Sequence, residues 1–136
     1  MPQKEDIKEI PKVWGKEIWL VNCPEYCGKL LVIDKDAMSS WHYHKIKKET
    51  FYLLAGIVYL TVEDGDYYKS YYMSPSSRPK TIFPGEKHEF RALTKSIILE
   101  ISTEHKEEDV VRLNESRAGC PEEKTVNELL ISATET

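Results

Sequence analysis

Between residues 13 and 103 the chain reads as short runs in which apolar and polar positions alternate. "GKLLVID", "SWHYH", "TFYLLAG", "IVYLTVEDGD", "YYKSYYM", "TIF", "HEFRA" and "SIILEIS" are rich in β-branched and aromatic residues. A period of two suits strands with one face inward, because successive side chains point to opposite sides. Turn residues fall between the runs at Gly28, Asp34 with Asp36, Gly56, "EDGD", "SPSSRP" and Pro84-Gly85. The Asp64-Gly65 pair between two strand-like runs marks a hairpin. Many short strands with regular turns predict an all-β sandwich or barrel.

The two ends carry a different pattern. Residues 1–12 are polar and read as an N-terminal arm, and "VWGKEIWLVN" as the opening strand. The barrel is expected over 13–103, followed by a charged extension over 104–136. Within that extension "PEEKTVNELLIS" predicts a short helix. Pro121 lies near its first turn, and Val126, Leu129 and Leu130 form its apolar set. So short a helix needs a surface to pack on.

Composition narrows the function. A chain of 136 residues makes one domain with a core that needs no staples. A net charge of −4 argues against nucleic-acid binding, which needs a basic face. No apolar run reaches the roughly 18 residues that span a bilayer, and the start "MPQKEDIKEIPK" has no apolar core of a secretion signal. A cytoplasmic protein without nucleic-acid or membrane partners is therefore expected. Cys23, Cys27 and Cys120 are odd in number and read as free thiols.

The chemistry concentrates in "SSWHYHKIKKETFYLLAG". His42 and His44 project from one face of a strand, with Tyr43 on the other. After a short turn, Glu49 shares its face with Phe51 and Leu53, which aims a carboxylate at an apolar interior. Such a group is costly to bury unless it is paired or bound to a cation. In "IFPGEKHEF", His88 opens a strand and shares a face with Phe90. Three imidazoles and a carboxylate from separate strands suit one divalent metal ion. Mn, Zn or Fe lead, with Ni or Co also compatible, since no thiolate takes part. Ile98, Glu100 and Ser102 alternate on one face of "SIILEIS". Glu100 sits within an apolar run, which makes it a candidate acid or base if that face lines a polar cavity.

The spacing H-x-H, four residues, E, six residues, G at 42–56 resembles the main part of the first cupin motif. The motif's leading glycine is Asp36 here. The second cupin motif is matched by Gly85 and His88. It departs at Ser77 and Ala92, and Pro84 stands next to Gly85 rather than two residues before it. The resemblance covers about residues 13–103. It implies a double-stranded β-helix, the cupin or jelly-roll barrel, with His42, His44, Glu49 and His88 holding one metal. "VWGKEIWLVN" is similar to the entry segment of sugar-handling cupins, including the mannose-6-phosphate isomerase type. "ILEISTEHKEEDVVRL" is similar to the closing strand of D-lyxose-isomerase-like proteins.

That finer likeness implies a sugar or sugar-phosphate isomerase working between aldose and ketose. It implies proton transfer by Glu100 or by Lys29, which lies where lyxose-isomerase-like cupins carry a catalytic lysine. An Fe(II) dioxygenase and a non-catalytic sugar-binding cupin are the alternatives. Arg78, Lys80 and Arg112 are candidates to hold a phosphate. Small cupins usually pair, so a homodimer is expected.

Overall fold

Alternating burial runs through several strands of the computed structural model, which describes residues 7–122 and 124–134. Residues 1–6 of the expected arm lie outside the described residues. The strands are β1 (Lys8–Lys12), β2 (Gly15–Asn22), β3 (Cys27–Ile33), β4 (His42–His44), β5 (Glu49–Ala55) and β6 (Val58–Asp64). They continue as β7 (Tyr67–Met73), β8 (Lys80–Ile82), β9 (His88–Ala92), β10 (Ser96–Ser102) and β11 (Val110–Arg112). A helix, α1 (Val126–Thr134), follows. Two antiparallel sheets face each other, one ordered β1-β2-β3-β10-β5-β8 and the other β11-β4-β9-β6-β7. The expected all-β double-stranded β-helix with a short C-terminal helix is the fold observed.

The inward positions follow the sequence alternation. Phe51, Leu53 and Ala55 on β5 are buried, as are Val58, Leu60 and Val62 on β6. With Leu31, Ile33, Phe90 and Ile98, all of these except Ala55 form most of the core between the sheets. Each such side chain contributes about 1.5–3 kcal/mol by burial. Trp14 closes one end of this core, edge-on to Phe90 with ring centroids 5.2 Å apart. The core fills one part of the barrel and leaves the remainder polar.

The ends are tied to the barrel more closely than their composition implies. Lys8–Lys12, read as part of an arm, pairs with β2 along its whole length. In the extension, β11 pairs with β4 across His44, Tyr43 and His42. Bridges of Met38 with Arg117 and of Lys35 with Cys120 carry the chain back along the same end. The helix starts at Val126 rather than near Pro121. Its start is set by a capping box in which Thr125 Oγ1 accepts the Glu128 N–H at 3.1 Å and Glu128 Oε2 accepts the Thr125 N–H at 3.4 Å. Leu129, with Val126 and Leu130, packs on Val32, Ala55 and Ile97, outside the main core. Among the described residues, no helix is long and apolar enough to cross a membrane.

Gly56 turns the chain from β5 into β6 at a φ of 91°. A Cβ there would collide with Ser96 Oγ and stand 2.6 Å from the Lys95 carbonyl oxygen. Backbone strain and the collision act together, so Gly56→Ala is expected to lower stability by roughly 3 kcal/mol. Urea denaturation followed by circular dichroism measures this. A loss below about 0.5 kcal/mol, the usual range for neutral surface changes, would show that the turn relaxes freely.

Candidate metal centre

Strands β4 and β9 are neighbours, and their register sets His42 directly opposite His88. His44, two residues along β4, shares the face of His42. The ring centroids lie 4.3 Å apart for His42 and His88, 5.5 Å for His42 and His44, and 6.0 Å for His44 and His88. One nitrogen from each ring falls within 4.8 Å of the others. From the opposite sheet β5 sends Glu49 to the same place. Its Oε1 lies 2.9 Å from His88 Nε2 and 3.6 Å from His44 Nε2. The three imidazoles form the converging group, and Glu49 joins it on the His44–His88 side.

The hydrogen bonds show which nitrogens are free. Nδ1 of His42 is 2.7 Å from the Ser40 carbonyl, and Nδ1 of His88 is 2.9 Å from the Glu86 carbonyl. A carbonyl can only accept, so both Nδ1 atoms carry the proton and both Nε2 atoms offer a lone pair. His44 Nδ1 faces Asp109 Oδ2 at 3.6 Å. Asp109 is itself fixed by accepting the N–H of Ile46 at 2.7 Å and of Lys47 at 3.1 Å. A carboxylate behind a ligating imidazole is the usual support for a metal site.

Burial then makes the site fit a cation. His88 Nε2 and Glu49 Oε1 are buried without a hydrogen-bond partner although they stand 2.9 Å apart. With the His88 proton on Nδ1, two lone pairs face each other, and a positive centre between them is required. A proton can serve: burial disfavours the charged His88 ring, but Glu49 outweighs it and raises its pKa above the ordinary value. A divalent ion serves with all three imidazoles at once. His42 is lowered to about 3 by burial and then by His88, and His44 to about 2 by burial and then by Lys47. Both rings are therefore neutral, as ligation requires. Around them Lys29 and Lys47 stand against Glu17, Glu49, Glu100 and Asp109, all largely buried. Among the largely buried charges, carboxylates outnumber lysines by four to two, which favours a cation.

The other sequence candidates meet the same cavity. It measures about 410 Å³, and its lining includes His42, His44, Glu49, Glu100 and Lys29. Glu100 is 4% exposed, and its Oε2 accepts from Lys47 Nζ at 2.7 Å and from Ser102 Oγ at 3.3 Å. Burial alone would raise its pKa, but Lys47 and then Lys29 outweigh it and hold the carboxyl well below its usual range. Lys29 is 1% exposed and is the register partner of Glu100. Its Nζ lies 3.4 Å from Glu17 Oε1 and 4.4 Å from the centre of the Trp19 ring. Arg112 lines the cavity, whereas Lys80 sits over the Tyr71 ring and Arg78 is not among the lining residues.

Four residues at the centre were not singled out by sequence reading: Glu17, Lys47, His105 and Asp109. Lys47 had a signal. It stands two residues before Glu49 and so shares its inward face if the extended chain begins early. His105 and Asp109 come from the charged extension and had none.

No family model and no curated protein matches the chain. Solved structures do. The capsular polysaccharide assembling protein CapF of Staphylococcus aureus is 16% identical, with a TM-score of 0.71 over 79% of this chain and 32% of its own. Oxalate decarboxylase of Bacillus subtilis, solved at pH 4.6, is 15% identical with a TM-score of 0.69, over 80% of this chain and 30% of its own. Another structure of that decarboxylase, from work on its Mn(II) centres, is 16% identical with a TM-score of 0.70, over 80% and 31%. The chain thus spans about a third of the length of these proteins. At such identities the likeness is one of fold, that of the cupin barrel, and the three-histidine group could hold a metal ion.

Proposed function

We propose that this cupin is a metal-dependent isomerase of a sugar or sugar phosphate, moving a proton between neighbouring carbons. One observation carries the reading: Glu100, a buried charged carboxylate, lines the same cavity as the imidazoles. A divalent ion bound by His42, His44, His88 and Glu49 would act as a Lewis acid on a carbonyl and its adjacent hydroxyl. The chain's own groups supply the rest. Trp14, Phe51 and Phe90 give the cavity an apolar wall that limits water. Glu100 takes the substrate proton and returns it. Its ion pair keeps it ionised but also weakens it as a base. The reading therefore requires Lys47 to shift its contact toward Glu49 Oε2, 3.5 Å away, as the proton arrives. Lys29, held between Glu17 and Trp19, is placed to bind a substrate hydroxyl or to share the proton. The carbohydrate connection in the name of CapF is consistent with a sugar.

The test is proton exchange in D₂O. Protein loaded with Mn(II) or Zn(II) is incubated with aldoses, ketoses and their phosphates and followed by proton NMR. The expected result is deuterium at the carbon next to the carbonyl, together with the isomeric sugar. Oxygen uptake with Fe(II) and no such exchange would assign the site to a dioxygenase. Bound metal with neither would leave a sugar-binding cupin. The homodimer belongs to the same proposal, and a monomer in light scattering at micromolar concentration would contradict it.

A further inference from the structure

Lys47 looks in sequence like one of the solvated lysines of "KIKK", yet it is 3% exposed at the heart of the site. An ammonium group has three protons to donate and no capacity to accept. Lys47 Nζ finds three acceptors: Glu100 Oε2 at 2.7 Å, His105 Nδ1 at 3.3 Å and Glu49 Oε2 at 3.5 Å. Glu100 and His105 lie at hydrogen-bond distance, and Glu49 completes the group as an ion pair. The His105 contact is completed outward, where its Nε2 lies 3.0 Å from Glu107 Oε1. The Lys47 main chain is fixed as well, through its N–H to Asp109 Oδ2 at 3.1 Å. Asp109 is the carboxylate that faces His44. One residue thus touches the carboxylate behind a ligand, the ligand carboxylate itself and the proposed base.

We propose that Lys47 is a positioning residue that fixes how Glu49 addresses the metal. Its hold on Glu49 Oε2 leaves Oε1 alone to face His44 and His88, so Glu49 presents one oxygen. Without that hold the carboxylate turns about its last bond and offers both oxygens or neither in a fixed place. The inference rests on the metal-centre reading, and its test keeps the two apart.

Removing Lys47 alone strands Glu100 as a buried anion, and the barrel is then at risk. The pair Lys47→Met with Glu100→Gln removes both charges and is compared with Glu100→Gln alone. Lys47→Arg is the second variant. It keeps the charge and the fold, but its planar fork does not match three diverging acceptors. Metal-free protein is titrated with Co(II) and followed by its visible d–d absorption, with circular dichroism as the check on folding. Wild type and Glu100→Gln are expected to bind one Co(II) with the same spectrum. The double variant and Lys47→Arg are expected to bind roughly 10–100-fold more weakly, as for other groups that orient a metal ligand, with shifted bands. If wild type binds Co(II) but the double variant matches Glu100→Gln and Lys47→Arg matches wild type, in both affinity and spectrum, the role of Lys47 is overturned and the metal centre stands. If wild type binds no Co(II), the metal centre falls and this inference with it.

Discussion

Glu100→Gln should slow substrate proton exchange on the order of 10²-fold or more, the usual contribution of a positioned acid or base, while metal occupancy stays at the wild-type level. Glutamine keeps the volume and loses the group that accepts the proton. Its amide oxygen can still accept from Lys47, which also retains Glu49 and His105. The change therefore costs less stability than the roughly 3–5 kcal/mol typical of stripping one partner from a buried pair. About 1–3 kcal/mol is expected for weakening one charged hydrogen bond. Exchange rates from NMR, metal analysis and a thermal melt separate these effects. If the variant exchanges at nearly the wild-type rate, Glu100 is not the base and Lys29 becomes the leading candidate, tested in the same way with Lys29→Met.

The second large effect is expected at His88. This ring is fully buried, stands opposite His42 and lies 2.9 Å from Glu49 Oε1. His88→Ala removes the nitrogen that joins the β4 pair to Glu49. Metal content after dialysis should fall to background, because two imidazoles on one strand and the single carboxylate 3.6 Å from His44 no longer enclose an ion. The barrel should stay folded. Glu49 keeps Lys47 as a partner, and Leu53, Leu60 and Ile98 of the apolar core do not line the cavity. Metal analysis of protein purified without a nickel column, together with circular dichroism, reads both outcomes. Full occupancy in the variant would remove His88 from the ligand set.

How much of this was legible beforehand depended on whether a signal was local. Strand parity is local, so the shared face of His42 and His44, the inward aim of Glu49 and the burial of Glu100 could be read directly. The same parity places Lys29 inward and sets Lys47, two residues before Glu49, on the inward face of Glu49. Pairing is not local. Nothing in "KEIPK" shows that it forms an edge strand, because its partner β2 supplies the hydrogen bonds. "TEHKEEDVV" has the composition of a solvated tail. Asp109 becomes interior because β11 folds onto β4, and His105 because its backbone pairs with the Asn22 side chain; composition encodes neither contact. The helix start was misplaced for a related reason: Pro121 is the louder mark, but the reciprocal bonds of Thr125 and Glu128 decide where the turn begins.

The pairing of β11 with β4 also orders events in time. Strand β4 has one register pair with β9, at His42 and His88, but three with β11, at His42, Tyr43 and His44. The two histidines of β4 are thus steadied mainly by a segment made long after them. As the chain leaves the ribosome, the sheets' apolar faces can collapse once β10 is complete, whereas β4 still lacks its principal neighbour and His44 its carboxylate. The contact spans a stretch of chain as long as the one β3 and β10 close, and it is the last of the strand pairings to become available during synthesis. An ion held by His42, His44 and His88 would then find its full site only in a chain that extends past Arg112.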